Sequence, residues 1–147
     1  MMLCALAALM APGPGRAALG GGAASVSADQ KAMGGTLTRE QGGGYTVQQI
    51  STPAALVVRE YLTDAGAVFA VTWRGPLLPD LHQLLGDYFD RYRQAADEAR
   101  AGHGRRGMLA VRLPDLVVQS GGHMRAFFGR AYLPGLVPPG VQAGALR

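Results

Sequence analysis

The chain has one cysteine (Cys4), no asparagine, one lysine (Lys31) and one isoleucine (Ile50). Without asparagine there is no N-glycosylation sequon. With a single thiol there is no internal disulfide, and no C-x-x-C, H-E-x-x-H, P-loop or calcium-loop pattern occurs, so neither a metal nor a cofactor is expected. The longest apolar run, "LCALAALMA" at 3–11, is too short to span a bilayer, so no membrane span is expected. Thirteen arginines stand against the single lysine in a chain rich in alanine and glycine, a pattern of coding bias rather than of function. The net charge of +4 is small and scattered, and therefore argues against a nucleic-acid partner.

What is present fits one domain of 147 residues. The apolar run, a Pro/Gly break and the small-residue site "GRA" predict a signal peptide over 1–17, although no basic residue precedes the run. Cleavage before Ala18 would remove the only cysteine and deliver the chain to the periplasm or the medium. Residues 18–44 read as a Gly/Ala-rich segment with a short helix, capped by Ser27 with Gln30 three residues on and stopped by Gly34-Gly35. An α+β domain is expected over 45–134 and a Pro/Gly-rich tail, extended or disordered, over 135–147.

Within the domain, "YTVQQIS", "ALVVREYL" and "AVFAVTWR" read as three antiparallel strands, with a bulge or slip near Gln48-Gln49 and a turn at Asp64–Gly66. In the third, Phe69, Val71 and Trp73 are expected on one face and Ala70, Thr72 and Arg74 on the other. Apolar residues at helical spacing from Leu81 to Ala99 predict one long helix from about Pro79 to Ala101. Three more strands follow, with turns at Pro114-Asp115 and Gly121-Gly122. The expected fold is α+β, an antiparallel β-β-β-α-β-β-β sheet with one long helix packed across a face.

The densest stretch is "SGGHMRAFFGRAYLP" at 120–134, with a histidine, two arginines and three aromatics. Read as a strand, it puts His123, Arg125, Phe127 and Gly129 on one face and Phe128, Arg130 and Tyr132 on the other. The simplest reading is a core strand in which Gly129 marks a bulge or a close approach and the arginines pair with acids on neighbouring strands. As a binding surface, the residues that stand out are His123, Arg125 and Arg130, with Trp73 and Phe127 as aromatic anchors. His82 and His103 are expected in solvent, and the loop "GRRG" at 104–107 as a solvated basic tip.

The segments "GGYTVQQI", "VVREY", "FAVTWRGPLLPDLHQLLGDYF" and "LVVQSGGHMRAFFGRAYLP", with "ALGG" at 18–21, carry a resemblance. The chain resembles a family of small exported Gram-negative bacterial proteins known only as a domain of unknown function. The resemblance implies export and assigns no catalytic residue. The lead expectation is a non-catalytic binding or accessory protein of the cell envelope, contacting another envelope or secreted protein or an extended peptide. The alternative is a small hydrolase-like enzyme using His123, with Ser120 or Asp115 nearby.

Overall fold

The computed structural model describes residues 19–103 and 107–147. The predicted signal peptide and its cleavage site lie outside the described residues, as does most of the basic tip. The first helix, α1 (Ala23–Met33), is followed by four strands, β1 (Thr36–Gln41), β2 (Tyr45–Ser51), β3 (Val57–Thr63) and β4 (Val68–Gly75). Helices α2 (Leu81–Leu85) and α3 (Phe89–His103) then lead to β5 (Leu109–Arg112), β6 (Val117–His123) and β7 (Ala126–Tyr132). All seven strands form one antiparallel sheet in the order β1-β2-β3-β4-β7-β6-β5. The α+β class holds, with one strand more than the sequence reading supplied.

The extra strand is β1. Its sequence, TLTREQ, is almost wholly exposed, so it has no apolar alternation to betray it. It lies at the sheet edge and pairs from Thr36↔Ser51 to Gln41↔Thr46. α1 starts at Ala23, four residues before the predicted cap, and Ser25 Oγ donates to the Gly22 carbonyl at 2.6 Å. Ser27 and Gln30 lie inside the helix. Gly34, with φ of 62°, ends it as expected, its N–H directed at the carbonyls of Gln30 and Lys31.

The long helix is interrupted. Asp80 caps α2 by accepting from the N–H groups of His82 (2.9 Å) and Gln83 (3.2 Å). Gly86 (φ 50°, ψ −124°) then breaks the regular turn, and a short 3-10 turn passes the chain into α3. Leu84, Leu85, Tyr92 and Ala96 reach the core from these helices.

β4 is the central strand and is buried for six consecutive residues, Val68 to Trp73. Val71 and Trp73 join Ile50, Val58, Val118 and Ala131 in the main core beneath the helices. The predicted alternation on β4 fails at one residue. The register shifts between Tyr61 and Leu62, and Phe69 packs with Ala70, Tyr61 and Tyr45 on the opposite face. The bulge expected on β2 is absent, and Gln48-Gln49 continue a regular ladder. β2 reads irregularly because both of its faces are covered, so polar and apolar residues need not alternate.

The second face is covered by the chain's own last residues. After β7 they run through short 3-10 turns at Pro134–Leu136 and Ala143–Ala145, and Ala143 and Leu146 are buried against Tyr61 and Phe69. The tail expected to be extended or disordered is therefore a strap packed on the sheet.

The β6–β7 turn also differs from expectation. Gly121 and Gly122 belong to β6, pairing with Phe128 and Phe127, and the two-residue turn is Met124-Arg125 with Arg125 at φ of 65°.

A candidate ligand groove on the strapped face

On the strapped face, a transverse row of side chains runs along one level of the ladder. Gln49 faces Arg59, Arg59 faces Thr72, Thr72 faces Arg130, and Arg130 faces Gln119. Adjacent strands lie ~4.8 Å apart, so the two arginines stand about 10 Å apart with Thr72 between them. Each guanidinium is oriented by its neighbouring glutamine. Arg59 Nε donates to Gln49 Oε1 and Arg130 Nε to Gln119 Oε1, both at 2.7 Å. The strap supplies the remaining partners: Arg130 Nη1 donates to the Gly144 carbonyl, and Arg59 Nη1 and the Tyr61 hydroxyl donate to the Arg147 main-chain oxygen.

Between this row and the strap lies a groove of about 560 Å³, lined also by Val57, Arg74, Met108 and Phe128. Three strand arginines line it, and no aspartate or glutamate does. Among the described residues the ion pairs are Arg91–Asp115, Arg93–Asp90 and Arg100–Asp97, all on the helical side of the chain and its loops. The expectation that strand arginines would pair with neighbouring acids is thus not met for Arg130. Bringing like charges together with no aspartate or glutamate among them costs free energy that an anion would offset, and only Arg59 meets the terminal Arg147 main-chain oxygen.

The residues singled out from sequence do not converge. Arg130 is in the groove. Trp73 also borders it, but the residue is 2% exposed and its ring fills the space above Gly129 on the helix-covered face, where an added Cβ would meet Trp73 Cζ2 at 2.3 Å. Phe127 is half-buried on that same face by register. His123 and Arg125 are exposed at the β6–β7 tip. The hydrolase grouping is dispersed as well: Ser120 and His123 fall on opposite faces of β6, and Asp115 is held by Arg91 through two bonds of 2.8 and 2.6 Å. His82 is exposed as expected and lies edge-on to Phe89, ring centroids 5.0 Å apart. The side chain of His103 lies outside the described residues.

Sequence reading missed Arg59, Arg74, Thr72, Gln49 and Gln119. Their signal was faint: only Thr72 and Arg74 alternate as a solvent face does, while Gln49, Arg59 and Gln119 each stand beside another polar residue in "YTVQQIS", "VVREYL" and "LVVQS".

A second polar cluster lies beneath the helices. Asp29 of α1 and Glu60 of β3 are both buried, at 0% and 1% exposure, and Gln48 sits directly across the ladder from Glu60. Gln83 Nε2 donates to Asp29 Oδ1. Desolvation first, and then the charge and hydrogen bond of Asp29, push the Glu60 carboxyl from 4.5 up to about 9. Desolvation also raises Asp29. Facing carboxyls in a dry site cannot both ionise cheaply, so the pair retains a proton at neutral pH.

Among the described residues no group of three or more His, Cys, Asp or Glu side chains could hold a metal ion. No described helix is long and apolar enough to cross a membrane.

No curated protein and no solved structure matches this chain. A family model does match, over residues 15–146, which is nearly the whole of the sheet, helices and strap described above. The chain belongs to the family described as "Protein of unknown function (DUF2844)".

Proposed function

We propose that this chain is a non-catalytic binding protein of the cell envelope, exported by its first residues, and that its groove takes an anionic ligand. The observation that carries the reading is the lining of the groove by Arg59, Arg74 and Arg130 with no carboxylate side chain among them. Arginine matches planar oxyanions by geometry as well as by charge, and its guanidinium is comparatively easy to desolvate. The two glutamines hold the forks in place before a ligand arrives, which lowers the ordering cost of binding. The apolar run at 3–11 supports export, and the family match begins at residue 15, beside the predicted cleavage site.

Thermal unfolding in rising inorganic phosphate tests the groove. The wild-type protein is expected to gain stability with phosphate beyond the general salt effect shown by the double variant Arg59→Gln/Arg130→Gln. Equal responses in the two proteins would contradict the reading.

A further inference from the structure

The strapped face carries a second transverse row next to the arginines, about 7 Å farther along the strands. Val57 faces Arg74, Arg74 faces Phe128, and Phe128 faces Gly121. Gly121 lies under the Phe128 ring, since an added Cβ there would meet Phe128 Cζ at 3.1 Å and the Met108 Cβ at 3.6 Å. The ring therefore rests across the sheet over a position without a side chain. It is nonetheless 44% exposed, and Met108 is 63% exposed. Both line the same groove as Arg59 and Arg130. One row of the groove is thus cationic and hydrogen-bonded, and the other presents the Phe128 ring and the Met108 thioether beside Arg74.

Resting on the anion-binding reading above, we infer that the ligand is a small amphiphilic anion: one carboxylate, phosphate or sulfate head on an aliphatic or aromatic body. The head lies between Arg59 and Arg130, above Thr72, and the body covers Phe128 and Met108, on the side of Phe128 away from Arg74. A purely polar anion would leave the apolar half in water. A purely apolar ligand would cover the guanidiniums without supplying a counter-charge. The volume of about 560 Å³ falls within the ~300–1,000 Å³ typical of small-molecule sites. That volume, walled by the strap residues Gly144, Leu146 and Arg147, suits a compact molecule.

Isothermal titration calorimetry with the full chain separates the contributions. The probes are decanoate below its aggregation concentration, decanol, acetate and inorganic phosphate. Decanoate is expected to bind at least about 30-fold more tightly than acetate or phosphate, because burial of the chain adds apolar contact. It should also bind about 10-fold more tightly than decanol, because the head gains charge-assisted bonds. Arg130→Gln and Phe128→Ser, both at partly exposed positions, should each weaken decanoate about 5-fold or more while circular dichroism shows an unchanged fold. Phosphate as tight as decanoate would overturn the amphiphile and leave the anion site standing. Decanol as tight as decanoate would overturn the anion reading itself. No binding of any probe, or decanoate binding that ignores both substitutions, would overturn both.

Discussion

Arg59 and Arg130 flank Thr72 on one face of the sheet, and each Nε is held at 2.7 Å by a glutamine on the next strand outward. The arrangement fixes two forks side by side and faces them toward a groove that no aspartate or glutamate lines. Such orientation matters when planar recognition is at stake, because a loose arginine must lose rotamer freedom on binding.

Removing an orienting glutamine should therefore weaken binding without unfolding the chain. Gln119→Leu is expected to lower phosphate affinity by about 3- to 10-fold, since one fork loses its fixed partner. The check is calorimetry on wild type and variant, with the melting temperature read in parallel. Unchanged affinity would show that the fork needs no such support.

The buried pair of Asp29 and Glu60 makes a pH prediction whose sign can be worked out. Glu60 titrates near 4.5 when unfolded and is raised to about 9 in the fold. The folded state therefore binds the proton more tightly, so stability is fullest below the unfolded value and declines as pH rises toward 9. The slope is at most about 1.4 kcal/mol per pH unit for one proton. Glu60→Gln removes the ionisable group while keeping its shape. At pH 8 it is expected to stabilise the protein by on the order of 2–4 kcal/mol, and at pH 4 to change it by less than about 1 kcal/mol. Urea unfolding at the two pH values would show this, and a gap independent of pH would refute it.

Gly129 lies under Trp73 in the core. A Cβ there would approach Trp73 Cζ2 to 2.3 Å and the Gln119 carbonyl oxygen to 2.7 Å. Neither neighbour can give way, one being a packed ring and the other main chain paired to β7. Gly129→Ala is expected to cost on the order of 2–3 kcal/mol by urea denaturation, as overpacking does elsewhere. A neutral substitution would mean that the ring has room to move.

The strap should contribute to stability as well as to the groove wall. Leu146 is 8% exposed and belongs to the cluster that includes Tyr61 and Phe69. Leu146→Ala is expected to lose about 2 kcal/mol, near the low end for core leucines because the site borders solvent. A change within the error of the unfolding curve would indicate that the strap is not packed in solution.

The chain's own pattern made some of this legible. The alternating run into Trp73, the helical spacing after Asp80 and the turn at Gly66 announced the central strands, the helices and the α+β class. Gly129 was readable as a bulge or a close approach, and the ring of Trp73 above it makes it the latter. Other features had no local signal. β1 is polar along its length, and the break at Gly86 lies within an otherwise continuous apolar stripe. The side on which Phe69 points depends on a bulge that only the pairing with β3 defines. The groove was hidden for a related reason. Its arginines come from β3, β4 and β7, and the order that seats β7 beside β4 joins strands more than fifty residues apart. The strap that closes the groove looked like a tail because its prolines and glycines conceal the single buried leucine near its end.

The most direct test of the central claim is native mass spectrometry of the protein purified from its own cells, beside the Arg59→Gln/Arg130→Gln variant prepared in the same way. The account predicts a chain beginning at Ala18 that carries a small acidic adduct, with the adduct lost in the variant. A wild-type chain free of adduct, or a variant that keeps it, would contradict the claim that these two arginines hold an anionic ligand.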